Sequence, residues 1–472
     1  MNTLLLTVYV VCSLVVSLYI LAYLVILVIY LTRQRTDHPT PSVNDSQLPA
    51  VTIQIPLYNE AYVAERVIRA CVQLDYPADK LIIQVLDDST DNTQQIITDL
   101  QTELNNPHLE IIHREKRTGY KAGALESAPV KTPFVLIFDA DFIPPPDFLR
   151  RTMPHFHNNP QLAMIQTRWS HLNPNTNWLT RIQAMNIDAH FAVEQVARYR
   201  GNLPMSMNGT GAIWRVSAIQ DSGGWHTDTL TEDLDLSYRA QMKGYQFLYL
   251  RDVAVPGELT PQLQAYKVQQ ARWATGSTQC LIKHAPALLS SPRHSVLQKF
   301  MGIMHLSQYL IQPVLLLLFL LTPYLIATQH SLPTIKALSV MGIIPPLVIV
   351  IGQMALYDTW YKRLIYFPAQ LVIGAGIIVS NSLAVFKALK AGGWVFERTP
   401  KFQLSQTANS WRTNHYRLKF DRLIVPEALL LLYSIWGLFV ANANEFYAFV
   451  PYMLIHVVSF SYFVLLGLYD AQ

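Results

Sequence analysis

The sequence predicts an α/β domain with a mostly parallel sheet, inserted between transmembrane helices. Three observations predict it. An uncharged apolar run covers residues 4–31, and five more apolar runs follow residue 300. The stretch between holds nearly all the acidic residues. Within that stretch, short apolar strands alternate with helical patterns, as in βαβ units. Of the 472 residues, 51% are hydrophobic and 14% charged, against roughly 25% charged in an average soluble domain. A fully soluble globular protein and a disordered chain are both excluded. The three cysteines are far apart and contain no CxxC, which rules out a disulfide scaffold and fits a reducing compartment or no redox role. The net charge of +4 is mild and gives no argument for nucleic acid.

The first run exceeds the roughly 20 residues that cross hydrocarbon, and backbone groups in lipid must be satisfied internally, so it is read as a helix. It is too long for a signal-peptide core and lacks a basic leader, so residues 1–33 are expected to be a retained anchor. Arg33 and Arg35 follow it and place its C-terminal end in the cytoplasm.

Residues 45–295 form the expected cytoplasmic domain. VTIQIP (51–56) reads as a buried strand, followed by a polar turn and the helical pattern AYVAERVIRACVQL. LIIQVL (81–86) is a second strand, closed by Asp87-Asp88-Ser89 and followed by a helix over 92–104. LEIIHR (109–114) is a third, then a glycine-containing loop and the short helix AGALESA. FVLIF (134–138) is a fourth, closed by Asp139-Ala140-Asp141. Ligands of open α/β sheets collect beyond the carboxyl ends of the strands, where both acidic clusters fall. There is no Walker motif, and no GxGxxG follows the first strand.

Apolar runs return at 301–327, 338–357, 364–386, 425–441 and 446–468. The link 387–424 is basic, so it is expected to be cytoplasmic like the domain, and an even number of crossings must separate the two. Lys362 and Arg363 mark a return to the cytoplasm after 338–357. The odd segment is therefore 364–391, read as a helix lying along the interface. The expectation is two transmembrane helices in 296–360, the interfacial helix, a cytoplasmic segment 392–422, and two transmembrane helices in 423–472. That makes five crossings, with six as the alternative.

The acidic clusters carry the chemistry. Asp139 and Asp141 are two apart after a strand, so they can point the same way, and two close carboxylates repel unless a cation intervenes. Mg²⁺ or Mn²⁺ resolves this and often bridges protein carboxylates to substrate phosphates. A strand-end turn exposing two aspartates is the plainer alternative. Arg114, Lys116, Arg117 and Lys121 can meet phosphate charge or form a solvated basic loop; Gly119 and Gly123 permit close approach of a ligand. Thr231 can cap a helix whose first turn holds Asp233 and Asp235. Either of the two is a candidate base for an acceptor hydroxyl. Gln269, Arg272 and Trp273 share one helix face, fit for stacking and hydrogen bonding a sugar or for packing against the membrane. Trp169, His171, Trp178, Trp214 and Trp225 add aromatic surface, part of it core.

Taken together, VLDDS (85–89), FDADF (138–142), TED (231–233) and QQARW (269–273) resemble the family 2 glycosyltransferases of the cellulose-synthase-like superfamily. The likeness is greatest to glucomannan/mannan synthases and their bacterial relatives. It is carried by RTGYKAGAL (117–125), QTRW (166–169), FAVEQ (191–195), NGTGAIWR (208–215), GGW (223–225), TEDLDLSYRAQMKG (231–244) and RTPKF (398–402). The resemblance covers about residues 48–405 and implies a GT-A-type domain. It implies that Asp87 or Asp88 touches the nucleotide, that Lys121 sits near the base or diphosphate, and that Asp139 and Asp141 hold the metal. It implies Asp233 as the general base and Gln269 and Arg272 at the diphosphate. Trp273, Glu232 and the loop Asn208-Gly209-Thr210 fall to the acceptor. The segment 392–422 corresponds to a gating segment, but reads ERTPKF where the family often carries a VTxK-type element. The implied activity is an inverting transfer of a hexose from GDP-mannose or UDP-glucose to a β-glycan, β-1,4-linked, with coupled translocation. A glycolipid synthase acting on a membrane lipid is the alternative. Membrane lipids are the expected surroundings, nucleic acid is not an expected partner, and the expected location is a plasma membrane, bacterial inner membrane by preference.

Overall fold

The computed structural model describes residues 2–33, 39–328, 342–390, 396–402, 415–418 and 421–471. Arg35 and parts of the 392–422 segment (392–395, 403–414 and 419–420) lie outside the described residues, as does 338–341 of one apolar run.

The four strands read from the sequence are present as β1 (Val51–Leu57), β2 (Leu81–Asp87), β3 (Leu109–His113) and β4 (Phe134–Ile137). Three more, β5 (Leu162–His171), β6 (Ala212–Arg215) and β7 (Gln246–Gly257), complete a seven-stranded sheet in the order β3-β2-β1-β4-β6-β5-β7. All pairings are parallel except those of β6, which runs antiparallel to β4 and β5. The chain leaves β1 toward β2 on one side, while β4 lies on the other. That is a switch point, where a crevice opens beyond the strand ends. The reversal of β6 matters for the same reason. Its entry loop, 208–211, starts at the edge where β4 ends, so it lands beside Asp139 and Asp141.

Alternation along the strands fills both faces. Ile53, Ile55, Ile83, Val85 and Leu136 face one apolar layer, and Val135, Ile137, Ala212 and Trp214 the other. Helices Ala64–Val72 and Thr93–Leu104 bury Val67, Ile68, Cys71, Ile97 and Leu100 against the first layer.

Four helices among the described residues are long and apolar enough to cross a bilayer: Thr3–Thr32, Trp360–Ala388, Ile424–Ala443 and Tyr447–Tyr469. A fifth is reached if Val296–Leu306 and Ile311–Ala327, bent by 69°, count as one span. The chain is a multi-pass membrane protein. Leu432, Phe439 and Leu465 are 65%, 71% and 67% exposed, apolar surface suited to lipid and costly in water. The stretch read from its flanking charges as interfacial is thus itself long enough to span. The preceding run shows a shorter helix, Ile344–Leu356, of 13 residues. The helix of Trp360–Ala388 is broken at Ile377, and its second half packs along Leu263–Ser290.

Domain and membrane helices share cores. Ala189, Ala192, Val193 and Ala197 pack with Ala22, Ile26 and Val348, and Leu179, Ile182, Leu263 and Tyr266 pack with Ile373, Ile377 and Phe463. Burial of this kind contributes roughly 25 cal/mol per Å² of apolar surface, and it fixes the domain's helices against the membrane helices.

Candidate active site

A cavity of about 650 Å³ opens at the carboxyl edge of β1 and β4 and continues between the membrane helices. Asp88, Lys121, Asp139, Asp141, Asp233, Gln269, Arg272 and Trp273 all line it, with Asn208, Gly209 and Glu232. Asp87 and Thr210 stand one step behind the wall. Asp87 accepts from His113 Nδ1 at 2.8 Å and Ser89 N–H at 3.0 Å, and so shapes the turn after β2. Asp88 is clamped by Arg114 through two bonds of 2.8 and 2.6 Å, which orients its carboxylate and accounts for one of the four basic residues in the 114–121 loop. Arg117 lies 3.5 Å over the Tyr58 ring, and Lys121 enters the cavity.

Lys121 Nζ donates to Asp139 Oδ1 at 2.6 Å and to Gly209 O at 2.8 Å, with Glu232 at 3.5 Å. Burial disfavours its charge, but Asp139 and Glu232 more than offset this and push its pKa up. The loop before β6 is pinned by the QTRW segment. Gln166 accepts from Asn208 N–H at 2.9 Å and donates to Thr210 O at 3.1 Å. The Thr210 hydroxyl in turn accepts from Asp139 N–H at 2.9 Å. Gly209 has φ +79°, and a Cβ there would sit 3.6 Å from Asp139 Oδ2 and 3.6 Å from Asp233 Oδ2. The backbone thus passes between the two carboxylates where a side chain would fill the cavity and strain the turn. Gly209→Ala is expected to lower turnover at least about tenfold while costing about 1–2 kcal/mol of stability. Steady-state rates and thermal midpoints measured together check this.

The TED segment opens the helix Glu232–Lys243, and its two aspartates have opposite fates. Asp235 is fully buried and engaged by His284 at 2.8 Å, Lys283 at 2.7 Å and Arg239 at 2.7 Å. Despite burial, these partners hold its carboxyl well below the usual range. The Asp233 carboxylate faces the cavity and accepts only from Leu234 N–H among the described residues. Burial, then the charge of Glu232, raises its pKa to about 7. The choice the sequence left open between the two is thereby narrowed: Asp235 ties helices together, and Asp233 is available to a ligand.

His226, Asp228 and Asp235 bring candidate metal-ligand atoms within 4.8 Å of one another. The Lys283 ammonium already lies among them, 3.0 Å from His226 Nδ1 and 2.7 Å from each carboxylate. That group is neutralised by a lysine and lies outside the cavity lining. Asp139 and Asp141, unlike that group, both line the cavity.

Helix Leu263–Ser290 carries Gln269, Arg272 and Trp273 past the cavity. Gly276 lets this helix approach the TED turn, since a Cβ there would lie 2.4 Å from Thr231 Cγ2. Residues 396–402 cross the mouth. Phe396 stacks on Tyr120 at 5.4 Å and under Arg272 at 4.6 Å. Arg398 pairs with Glu60 at 2.8 Å, and Lys401 pairs with Asp141. Phe402 N–H donates to Glu258 at 2.8 Å. The sequence signalled this segment only through RTPKF. Its contacts with the loops after β1, β4 and β7 were not readable from spacing, nor was the His190–Glu194 pair immediately before and within FAVEQ.

The arrangement is that of a GT-A-like fold: a mostly parallel sheet with an acidic, lysine-bearing crevice at its carboxyl edge. Residues 49–276 match the family model described as Glycosyltransferase like family 2. A probable glucomannan 4-beta-mannosyltransferase 2 of Oryza sativa subsp. japonica is 42% identical over 272 residues, 56% of this chain and 47% of its own length. Glucomannan 4-beta-mannosyltransferase 2 of Arabidopsis thaliana is 41% identical over 247 residues, 51% of this chain and 46% of its own. The chain thus spans just under half the length of these plant relatives. Among solved structures, a mannosyltransferase from Pyrobaculum calidifontis in complex with GDP-Man and Mn²⁺ aligns with a TM-score of 0.56 at 20% identity, covering 82% of this chain and 100% of that one. This last likeness is one of fold.

Proposed function

We propose that the chain is an inverting, metal-dependent hexosyltransferase that moves mannose from GDP-mannose to a growing β-1,4-linked glycan at the cytoplasmic face of a plasma membrane. The observation that carries the reading is the convergence of Asp139, Lys121 and Asp233 around Gly209 in one cavity that also holds Asp88, Asp141 and Arg272. The plant relatives' names favour mannose over the glucose that the motifs alone leave open. Arg33 and the basic residues Lys387, Lys390 and Arg398 support the cytoplasmic orientation.

The donor set fits a hard divalent ion. Asp139 and Asp141 offer hard carboxylate oxygens that line the cavity, the donor type such an ion prefers. Mg²⁺ or Mn²⁺ held there supplies charge neutralisation for the departing nucleoside diphosphate. Lys121 and Arg272 add positive charge on the same side of the cavity, and both are held in place before any donor arrives. Asp233 takes the proton from the acceptor hydroxyl as its oxygen attacks the anomeric carbon. The bond to the diphosphate breaks as the new one forms, so one displacement turns an α-linked donor into a β-glycoside. Trp273 offers a ring face to the acceptor sugar.

The membrane end of the cavity supports a polar product. Tyr23, Tyr309, Gln312 and Asn381 line it, groups that stack on or hydrogen-bond a sugar chain. Labelled GDP-mannose and UDP-glucose, supplied with Mn²⁺, followed by linkage analysis, test the whole reading. A β-1,4-linked polymer is expected; a short, lipid-extractable product overturns the glycan reading. Asp141→Asn is expected to cut Mn²⁺-stimulated turnover by about a hundredfold or more, read by metal titration at fixed donor.

A further inference from the structure

Helix Trp178–Ala189 does not run straight into Gln195–Arg200. It passes through a π turn at His190–Glu194, where Gln195 N–H donates to His190 O. Such turns are uncommon and recur at functional sites. Here His190 and Glu194 both reach the cavity wall.

The hydrogen bonds around them have a defined direction. Gln195 Nε2 faces Ser206 O at 3.3 Å, an atom that only accepts, so this nitrogen is the donor to Asn208 Oδ1 at 2.6 Å. Asn208 therefore presents Nδ2 to His190 Nε2 at 3.2 Å, and the imidazole must accept there. The ring proton then sits on Nδ1 and is donated to Glu194 at 3.0 Å. Glu194 also takes a bond of 2.9 Å from Arg198, which is anchored by donating to Pro204 O at 3.0 Å. Although largely shielded from solvent, Glu194 is held ionised by Arg198 and His190, its pKa well below the ordinary range. The result is a file of four side chains, rooted in the interior at Arg198 and ending in the cavity at Asn208. The next residue along, Gly209, lies between Asp139 and Asp233. One proton of Asn208 Nδ2 has no partner among the described residues.

We propose that His190 is a positioning residue for the acceptor. Through the His190–Glu194 pair, the file fixes the Asn208 amide so that its second Nδ2 proton donates to a hydroxyl oxygen of the acceptor sugar, which turns the neighbouring hydroxyl toward Asp233. The inference rests on the proposed transferase reading and adds to it a residue that selects acceptor pose.

The test uses the full chain in lipid with GDP-mannose, Mn²⁺ and a short β-1,4-linked manno-oligosaccharide. His190→Ala is expected to raise acceptor KM and to lower the ratio of sugar transferred to sugar hydrolysed by about tenfold, the equivalent of one lost hydrogen bond. His190→Gln, whose amide oxygen can still accept from Asn208, is expected to recover much of that ratio. Glu194→Gln, which removes the ionic partner of His190 but keeps its size, shifts the ratio the same way and serves if the alanine variant does not fold. Equal loss of transfer and hydrolysis, or an unchanged acceptor KM in the folded variants, overturns the proposal. Failure of the wild-type protein to transfer from GDP-mannose or UDP-glucose sinks the transferase reading itself, and this inference falls with it. Normal wild-type transfer with indifferent variants sinks this inference alone.

Discussion

Asp233→Asn is expected to lower transfer by about 10²–10⁴-fold, the range that a positioned general base contributes, while GDP binding stays intact. The acid limb of the wild-type pH–rate profile should fall near pH 7, since burial and the charge of Glu232 raise Asp233 to about 7 and only its deprotonated form accepts the hydroxyl proton. Glu232→Gln removes the second of those causes, so the limb should move to lower pH. Stability gives an independent reading with the opposite sign. Between the ordinary carboxylate range and about pH 7, folded Asp233 holds a proton that the unfolded chain has lost, so its contribution to stability declines as pH rises through that window. The thermal midpoint of the Asn variant should gain on the wild type from pH 5 to pH 8. Near-normal turnover in Asp233→Asn, with nucleotide bound, removes Asp233 from the base role.

Lys267→Met is expected to cost about 3–5 kcal/mol, the largest stability effect of any single substitution considered. Lys267 Nζ lies 2.6 Å from Asp421 and 2.5 Å from Glu427, and all three are buried. Removing the cation leaves two acids facing each other, with no other cation within ion-pair distance among the described residues. The same helix carries Gln269, Arg272 and Trp273 within the following two turns, so activity should fall with the thermal midpoint. Adding Asp421→Asn and Glu427→Gln to Lys267→Met should recover most of the loss, because uncharged groups have far less hydration to lose. A midpoint within a degree of wild type for Lys267→Met would show that water already reaches the three groups.

The parts legible in the sequence were those set by local pattern. Runs such as VTIQIP and LIIQVL can be little other than buried strands, and the acids that end them must lie at the sheet edge. β6, with four residues, offers too short a pattern to read, although its reversal is what delivers Gly209 to Asp139 and Asp233. The choice between Asp233 and Asp235 depended on Lys283 and His284, which are about fifty residues away in sequence and meet the helix only in the folded chain. Arg398 meets Glu60 across 338 residues, a pairing that no spacing rule contains. For the membrane helices, flanking charge and helix length point in different directions at 360–388, because that stretch is both basic at its ends and mostly apolar between them.

The shared walls of the cavity bear on how the protein can be handled. Tyr309 and Asn381 belong to the membrane half, and Phe396, Arg398 and Lys401 arrive from a connector more than a hundred residues beyond the sheet. Excising residues 45–295 as a water-soluble fragment would leave a half-open cup, with Glu60 and Asp141 stripped of their counter-charges. Catalysis and embedding are therefore inseparable engineering problems in this chain, and a detergent or nanodisc that disturbs the helical half disturbs the pocket with it.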